Sequence, residues 1–216
     1  MPDSKDMASG WRAGMRTELL IMPTLLGGLL ALASPAQADV SVTDTGATPA
    51  SMTAADATAA PLTDEQVAAR YVPDAAVTGA VQMTFMLWKV YIATLYAPGG
   101  AWQEDEPFAL SLAYQRKLRG KDIAKRSVKE MRGQGFDDEL KLAAWHEEMQ
   151  KIFPDVDENT TLTGVRDARG HAVFYHNGVR VGIIEDPAFS YWFFGIWLHK
   201  KTSEPALRKK LLGAPG

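Results

Sequence analysis

MTFMLWKVYIATLYAP, residues 83–98, is apolar or aromatic at nearly every position, yet it carries Lys89 near its centre. A run this short with a charge inside it falls below the ~20 apolar residues that span a bilayer as a helix. The residues leading into it alternate, with Val81, Met83, Phe85 and Leu87 set against Gln82, Thr84, Met86 and Trp88. That is the period of two of a β-strand. Beyond Lys89 the β-branched and aromatic content continues through Tyr96, and APGG at 97–100 stops it. The stretch is therefore read as strand, with one face turned to a core.

The rest of the chain fits a globular protein built around that core. Of 216 residues, 46% are hydrophobic and 23% charged, the balance of one folded domain. There is no cysteine, which excludes disulfides, thiolate nucleophiles and cysteine-bound metal sites. The net charge is −3 and no block of lysine or arginine is long enough to follow a phosphate backbone, so nucleic acid is not an expected partner.

The N-terminus has the form of an export signal. Arg12 and Arg16 precede the apolar run Leu19–Ala33, and SPAQAD offers Ala36 and Ala38 as the small-x-small pattern before Asp39. Residues 1–38 are read as a signal peptide cleaved after Ala38, with Met15 as an alternative start. The expected destination is the periplasm or the exterior, with no stable membrane insertion after cleavage. Residues 39–61 are almost wholly Ala, Thr, Ser, Asp and Gly and lack any aromatic. Such a composition cannot offset its ordering entropy, and a disordered tether is expected there. The folded domain then covers 62–216.

Within it, Thr63 and Gln66 have capping-box spacing for a short helix ending before Pro73. PFALSLAYQRKL, residues 107–118, alternates Phe108, Leu110, Leu112 and Tyr114 and is a further strand. KDIAKRSVKEMRGQG is an amphipathic helix stopped by Gly133 and Gly135. DDELKLAAWHEEMQKIF is another, with Leu142, Trp145, Met149 and Ile152 on one face. The period then returns to two, and DARG at 167–170 and Asn177-Gly178 are turn signals for a three-stranded meander. EDPAFSYWFFGIWL is an apolar helix capped by Asp186, with Phe189, Trp192, Phe193, Ile196 and Trp197 on one face. A last helix runs from a Ser203 cap to a Gly213 stop. Together these predict an α+β fold, an antiparallel sheet with helices mainly on one side.

Catalytic motifs are absent. His146-Glu147-Glu148 opens like a zinc-protease helix, but Gln150 stands where the second histidine is required. The four histidines fall at polar or turn positions, and no metal or cofactor is expected. There is no nucleophile elbow and no phosphate-cradling glycine loop. What stands out is aromatic: the helix bearing Phe189, Trp192, Phe193 and Trp197 opposes strands bearing Met83, Phe85, Met86 and Trp88. That pairing makes either a filled core or the wall of an apolar cavity.

GAVQMTFMLWKVYIATLYAP, LSLAYQRKL, FYHNGVRVGIIEDPAFSYWFFGIWL and PALRKKLLG, in this order and spacing, resemble the bacterial exported members of the chalcone isomerase-like family. The likeness runs from about Val72 to Gly213. It implies an open-faced β-sandwich, a large antiparallel sheet under a layer of helices with a ligand cleft between. The family's plant isomerases close a chalcone to a flavanone, and its ancestral-type members bind fatty acids without catalysis. Both carry an arginine on the strand before the K-V-Y segment, where it meets an oxyanion or a carboxylate. Here that place is taken by Met83, and no arginine lies between Arg70 and Arg116.

An arginine in an apolar cleft supplies charge-assisted hydrogen bonds, whereas methionine is only a polarisable filler. The resemblance therefore implies no catalytic residue here. The expected function is non-catalytic binding of a small hydrophobic ligand, a fatty acid or a neutral lipid-like molecule. Met83, Trp88, Tyr91, Arg116 and Phe193 are the candidate ligand contacts, Tyr91 for a head group and Arg116 as a replacement cation. The alternative is an intramolecular lyase or isomerase working through Tyr91. A third possibility is a structural protein with a fully packed core.

Overall fold

The computed structural model of the protein describes residues 60–213. The expected export signal, residues 1–38, and residues 39–59 of the expected tether lie outside the described residues. The capping box at Thr63 forms as predicted: its hydroxyl accepts from Gln66 N–H, and the Gln66 side chain accepts from Thr63 N–H. It opens helix α1, Asp64–Tyr71.

Six strands follow one another across a single antiparallel sheet in chain order. They are β1 (Ala75–Phe85), β2 (Trp88–Pro98), β3 (Phe108–Tyr114), β4 (Thr161–Arg166), β5 (Ala172–His176) and β6 (Val179–Ile184). The meander expected for the last three thus extends to all six. Helices α2 (Gly120–Gln134) and α3 (Glu139–Ile152) are inserted between β3 and β4, and α4 (Pro187–Leu198) and α5 (Pro205–Leu211) close the described chain.

The opening stretch is two strands rather than one. Met86 adopts the left-handed conformation with φ of 54°, and the chain reverses at Met86-Leu87 so that Phe85 pairs with Trp88. Neither residue is a turn former, which is why the alternation reads straight through the hairpin. Alternation is nonetheless right for the strand itself, since Val81 and Met83 are buried while Thr84 is exposed. β1 also begins earlier than predicted, at Ala75.

Three helix details differ from expectation. α2 passes through Gly133 and stops only at Gly135, which takes φ of 108°. The cap of α5 is Glu204, without a side-chain bond, because Pro205 rather than Ser203 sets the first turn. α4 does not have one apolar face. Phe189, Ser190, Phe193, Phe194, Gly195, Trp197 and Leu198 are all buried, and only Tyr191 is clearly exposed among its rings. A helix that is hydrophobic all round is one packed on several sides.

Those sides are identifiable. Phe194 meets Phe108 of β3 edge-on at 5.0 Å, and Gly164 on β4 leaves room for the Phe194 ring, which an added Cβ would meet at 2.9 Å. Phe189 faces Phe174 of β5 at 6.3 Å and Trp145 of α3 at 5.6 Å. The Gln134 side chain of α2 donates to the Trp192 carbonyl. On the opposite face of the sheet, α1 buries Val67 and Ala68 against Tyr96, Ala109, Val165, Val173 and Tyr175. Alternate residues of the central strands β3, β4 and β5 therefore serve two different cores.

Asp64 fastens α1 to its face of the sheet. Its carboxylate accepts from the Ser111 hydroxyl and from the Thr163 hydroxyl, each at 2.7 Å, and both donors are almost fully buried. Asp64→Ala leaves two buried hydroxyls without their acceptor and is expected to destabilise the fold by about 2–3 kcal/mol in urea unfolding. Asp64→Asn retains an acceptor oxygen and is expected to lose less. Equal losses for the two variants would contradict this account.

Candidate functional site

The hairpin and β3 bring the sequence-predicted residues onto the sheet face that α4 covers. Met83 lies directly opposite Tyr91 in the β1–β2 ladder, and Tyr91 lies opposite Tyr114 in the β2–β3 ladder. The two tyrosine rings meet edge-on at 5.8 Å. Trp197, in the last turn of α4, donates its indole N–H to the Tyr91 hydroxyl at 3.0 Å. At this level the helix layer and the sheet touch.

Both phenols are held protonated. Burial, outweighing the opposing effect of the Trp197 hydrogen bond, pushes Tyr91 up to about 12. Burial raises Tyr114 as well, and the neighbouring Tyr91 adds to the effect. Neither is a phenolate base at neutral pH. Met83 contributes no charge beside them, so the row Met83, Tyr91, Tyr114 is neutral and weakly polar.

Towards the hairpin tip the chemistry changes. The Arg116 guanidinium lies over the Trp88 ring, 5.2 Å from its centroid, in cation–π geometry. Two of its donors, Nε and Nη1, are buried and have no hydrogen-bond partner among the described residues. The main chain fixes its position, because Gln115 N–H donates to the Val90 carbonyl at 2.9 Å. Arg116 is thus a cation with two donors unused among the described residues, beside Trp88 at the hairpin end of that row.

Phe193 is placed differently. Its ring packs with those of Phe153, Phe174, Phe189, Phe194 and Trp197, at centroid separations of 5.1–5.9 Å. It sits in the aromatic core and meets Trp197, which in turn donates to Tyr91. Tyr114 and Trp197 were not singled out from the sequence as neighbours of Tyr91. The alternation Phe108, Leu110, Leu112, Tyr114 already placed Tyr114 on the apolar face of β3, which was the available signal.

A separate small cavity of about 50 Å³ lies at the other end of β3, lined in part by Trp102, Asp105, Phe108, Arg166, Ser190 and His199. That is room for a water or two, not for a lipid chain. Among the described residues there is no cluster of three or more His, Cys, Asp or Glu that could hold a metal ion. No described helix is long and apolar enough to cross a membrane.

The family model described as chalcone isomerase-like matches residues 76–213. The chain belongs to that family. An uncharacterized protein of Haemophilus influenzae is 31% identical over 137 residues, 62% of this chain and 66% of the relative, just under two thirds of its length. A crystal structure of a fatty-acid binding protein of Arabidopsis thaliana superposes with a TM-score of 0.51 at 12% identity, covering 65% of this chain and 87% of that one. At this identity the likeness is one of fold. This member of the chalcone isomerase-like family thus combines the sheet-and-helix architecture expected from its sequence with an aromatic core under α4 and an arginine stacked on Trp88 beside the hairpin, two of its donors unused among the described residues.

Proposed function

We propose that this chalcone isomerase-like protein is an exported, non-catalytic binding protein for a small hydrophobic ligand, with Arg116 as its polar anchor. The observation that carries the reading is the pair of buried, unpartnered N–H groups on Arg116, stacked on Trp88. Buried donors without acceptors are costly, and a ligand oxygen that satisfies them recovers about 1–3 kcal/mol. A carboxylate matches a guanidinium fork better than a neutral oxygen does, so the reading favours a fatty acid over a neutral lipid. The raised phenols argue against a phenolate base, Met83 supplies no charge for an oxyanion, and export rests on the leader that the sequence leads one to expect up to Ala38.

Titration with a fluorescent fatty acid tests this. The wild-type chain is expected to bind it, and Arg116→Gln is expected to weaken binding at least tenfold, with Arg116→Lys in between. The methyl ester of the same acid should bind weakly and with little dependence on residue 116. No catalysed loss of chalcone absorbance is expected. A protein that binds neither acid nor ester and carries no lipid in native mass spectrometry would remove the proposal.

A further inference from the structure

We propose that the tip of the β1–β2 hairpin docks the protein onto a lipid bilayer bearing anionic head groups. At this turn Met86, Leu87 and Trp88 are 64%, 94% and 59% exposed, three consecutive large apolar side chains in water. Isolated surface hydrophobics need no explanation, but a contiguous, exposed group at a tight turn does.

The other tight hairpin of the same sheet shows what stability alone selects. Between β5 and β6 the turn is Asn177-Gly178, with φ of 47° and 75°, the residues that tolerate this backbone. At the β1–β2 turn Met86 takes φ of 54° with a long side chain, where glycine avoids a strain on the order of 1 kcal/mol. Neither Met86 nor Leu87 contributes to the core in return. The side chains at this turn serve an external surface.

Charge indicates which surface. Lys89 follows Trp88 and is exposed, Arg116 lies over the Trp88 ring, and Lys117 is exposed beside it. No acidic residue occurs from Ala75 to Gln103 or from Pro107 to Lys121. Asp122 is paired with Arg119 at 2.6 Å, the Lys117 charge acts on Asp157, and Glu130 and Glu204 act further along the strand, on Tyr91. An apolar wedge with an indole beside it and cations behind it matches a bilayer interface.

The wedge is small. Its three side chains expose on the order of 400–500 Å², below the ~800 Å² per partner of a standard protein interface. A bilayer places no such demand on area, and apolar groups need to enter only ~5–10 Å. Docking does not depend on the identity of any cleft ligand.

The absence of cysteine allows a direct test in the full chain. Leu87→Cys carrying an environment-sensitive fluorophore is expected to brighten several-fold on vesicles of phosphatidylcholine with phosphatidylglycerol. It should brighten far less on phosphatidylcholine alone and less in high salt. The same label at Gln103→Cys, on the loop beyond the far end of β2, should not respond. In flotation with unlabelled protein, Leu87→Asp is expected to lower the vesicle-bound fraction at least tenfold relative to wild type. Equal flotation of the two, or equal response of the two labels, overturns the proposal and assigns membrane contact elsewhere, the apolar run 19–33 included. A dimer that Leu87→Asp dissociates, without flotation of the wild type, overturns it in favour of a second copy. Soluble fatty-acid affinity should survive Leu87→Asp and fall with Arg116→Gln, so either proposal can fail without the other.

Discussion

Replacing Gly120 with alanine is expected to destabilise the protein by roughly 4 kcal/mol or more, lowering Tm by about 10 °C. Gly120 opens α2 against the end of α3, where its own N–H donates to the Asp155 carboxylate at 2.9 Å. A Cβ there would fall 2.0 Å from the Phe153 carbonyl oxygen and 2.7 Å from that of Pro154. Both obstacles are main-chain atoms, so no rotamer change relieves the overlap and the two helices must separate. Gly133, in the same helix, has open space around it, and Gly133→Ala is expected to be neutral or slightly stabilising. Calorimetry on the pair gives the contrast. A loss of only a degree or two for Gly120→Ala would mean that the helix contact is looser than described.

Stability is expected to fall steeply as the pH rises from 10 towards 12. Below pH 10 the phenols are protonated in both folded and unfolded chains, and the contribution from burial is fully present. Above it the unfolded chain releases protons that the folded protein still holds, and each such tyrosine then favours unfolding. Tyr91, raised to about 12, accounts for on the order of 2–3 kcal/mol across this window. Tyr114 acts in the same direction through its burial. Tyr71, raised to about 12 by burial and by its hydrogen bond to Tyr175, adds a smaller, solvent-screened share. Tyr91→Phe should reduce the slope of unfolding free energy against pH in this range. At neutral pH it should cost about 1–2 kcal/mol, because the Trp197 N–H loses its acceptor. A slope unchanged by Tyr91→Phe would mean that its phenol is freely solvated.

Much of this was legible from local pattern. Alternation gave Val81 and Met83 their inward face, the spacing of Leu142, Trp145 and Met149 gave α3 its buried stripe, and Asn177-Gly178 gave the last hairpin. Each of these signals is enforced within a few residues by backbone geometry, so a sequence window contains it whole. The Met86-Leu87 turn was not legible because apolar residues there obey no turn rule. The all-round burial of α4 was missed because an apolar helix does not reveal how many neighbours surround it.

The candidate site divides along the same line. The sequence by itself determined most of the elements in order, the methionine at position 83, where the family resemblance leads one to expect an arginine, and the lack of cysteine. Only the tertiary structure decided that the Tyr91 hydroxyl accepts from Trp197, 106 positions away, that Phe193 belongs to the core, and that Arg116 rests on Trp88 with two donors unused among the described residues. Those facts depend on which side chains meet across the sheet and between layers. Hydrogen-bond satisfaction is a property of such meetings, and no reading along one chain can count it.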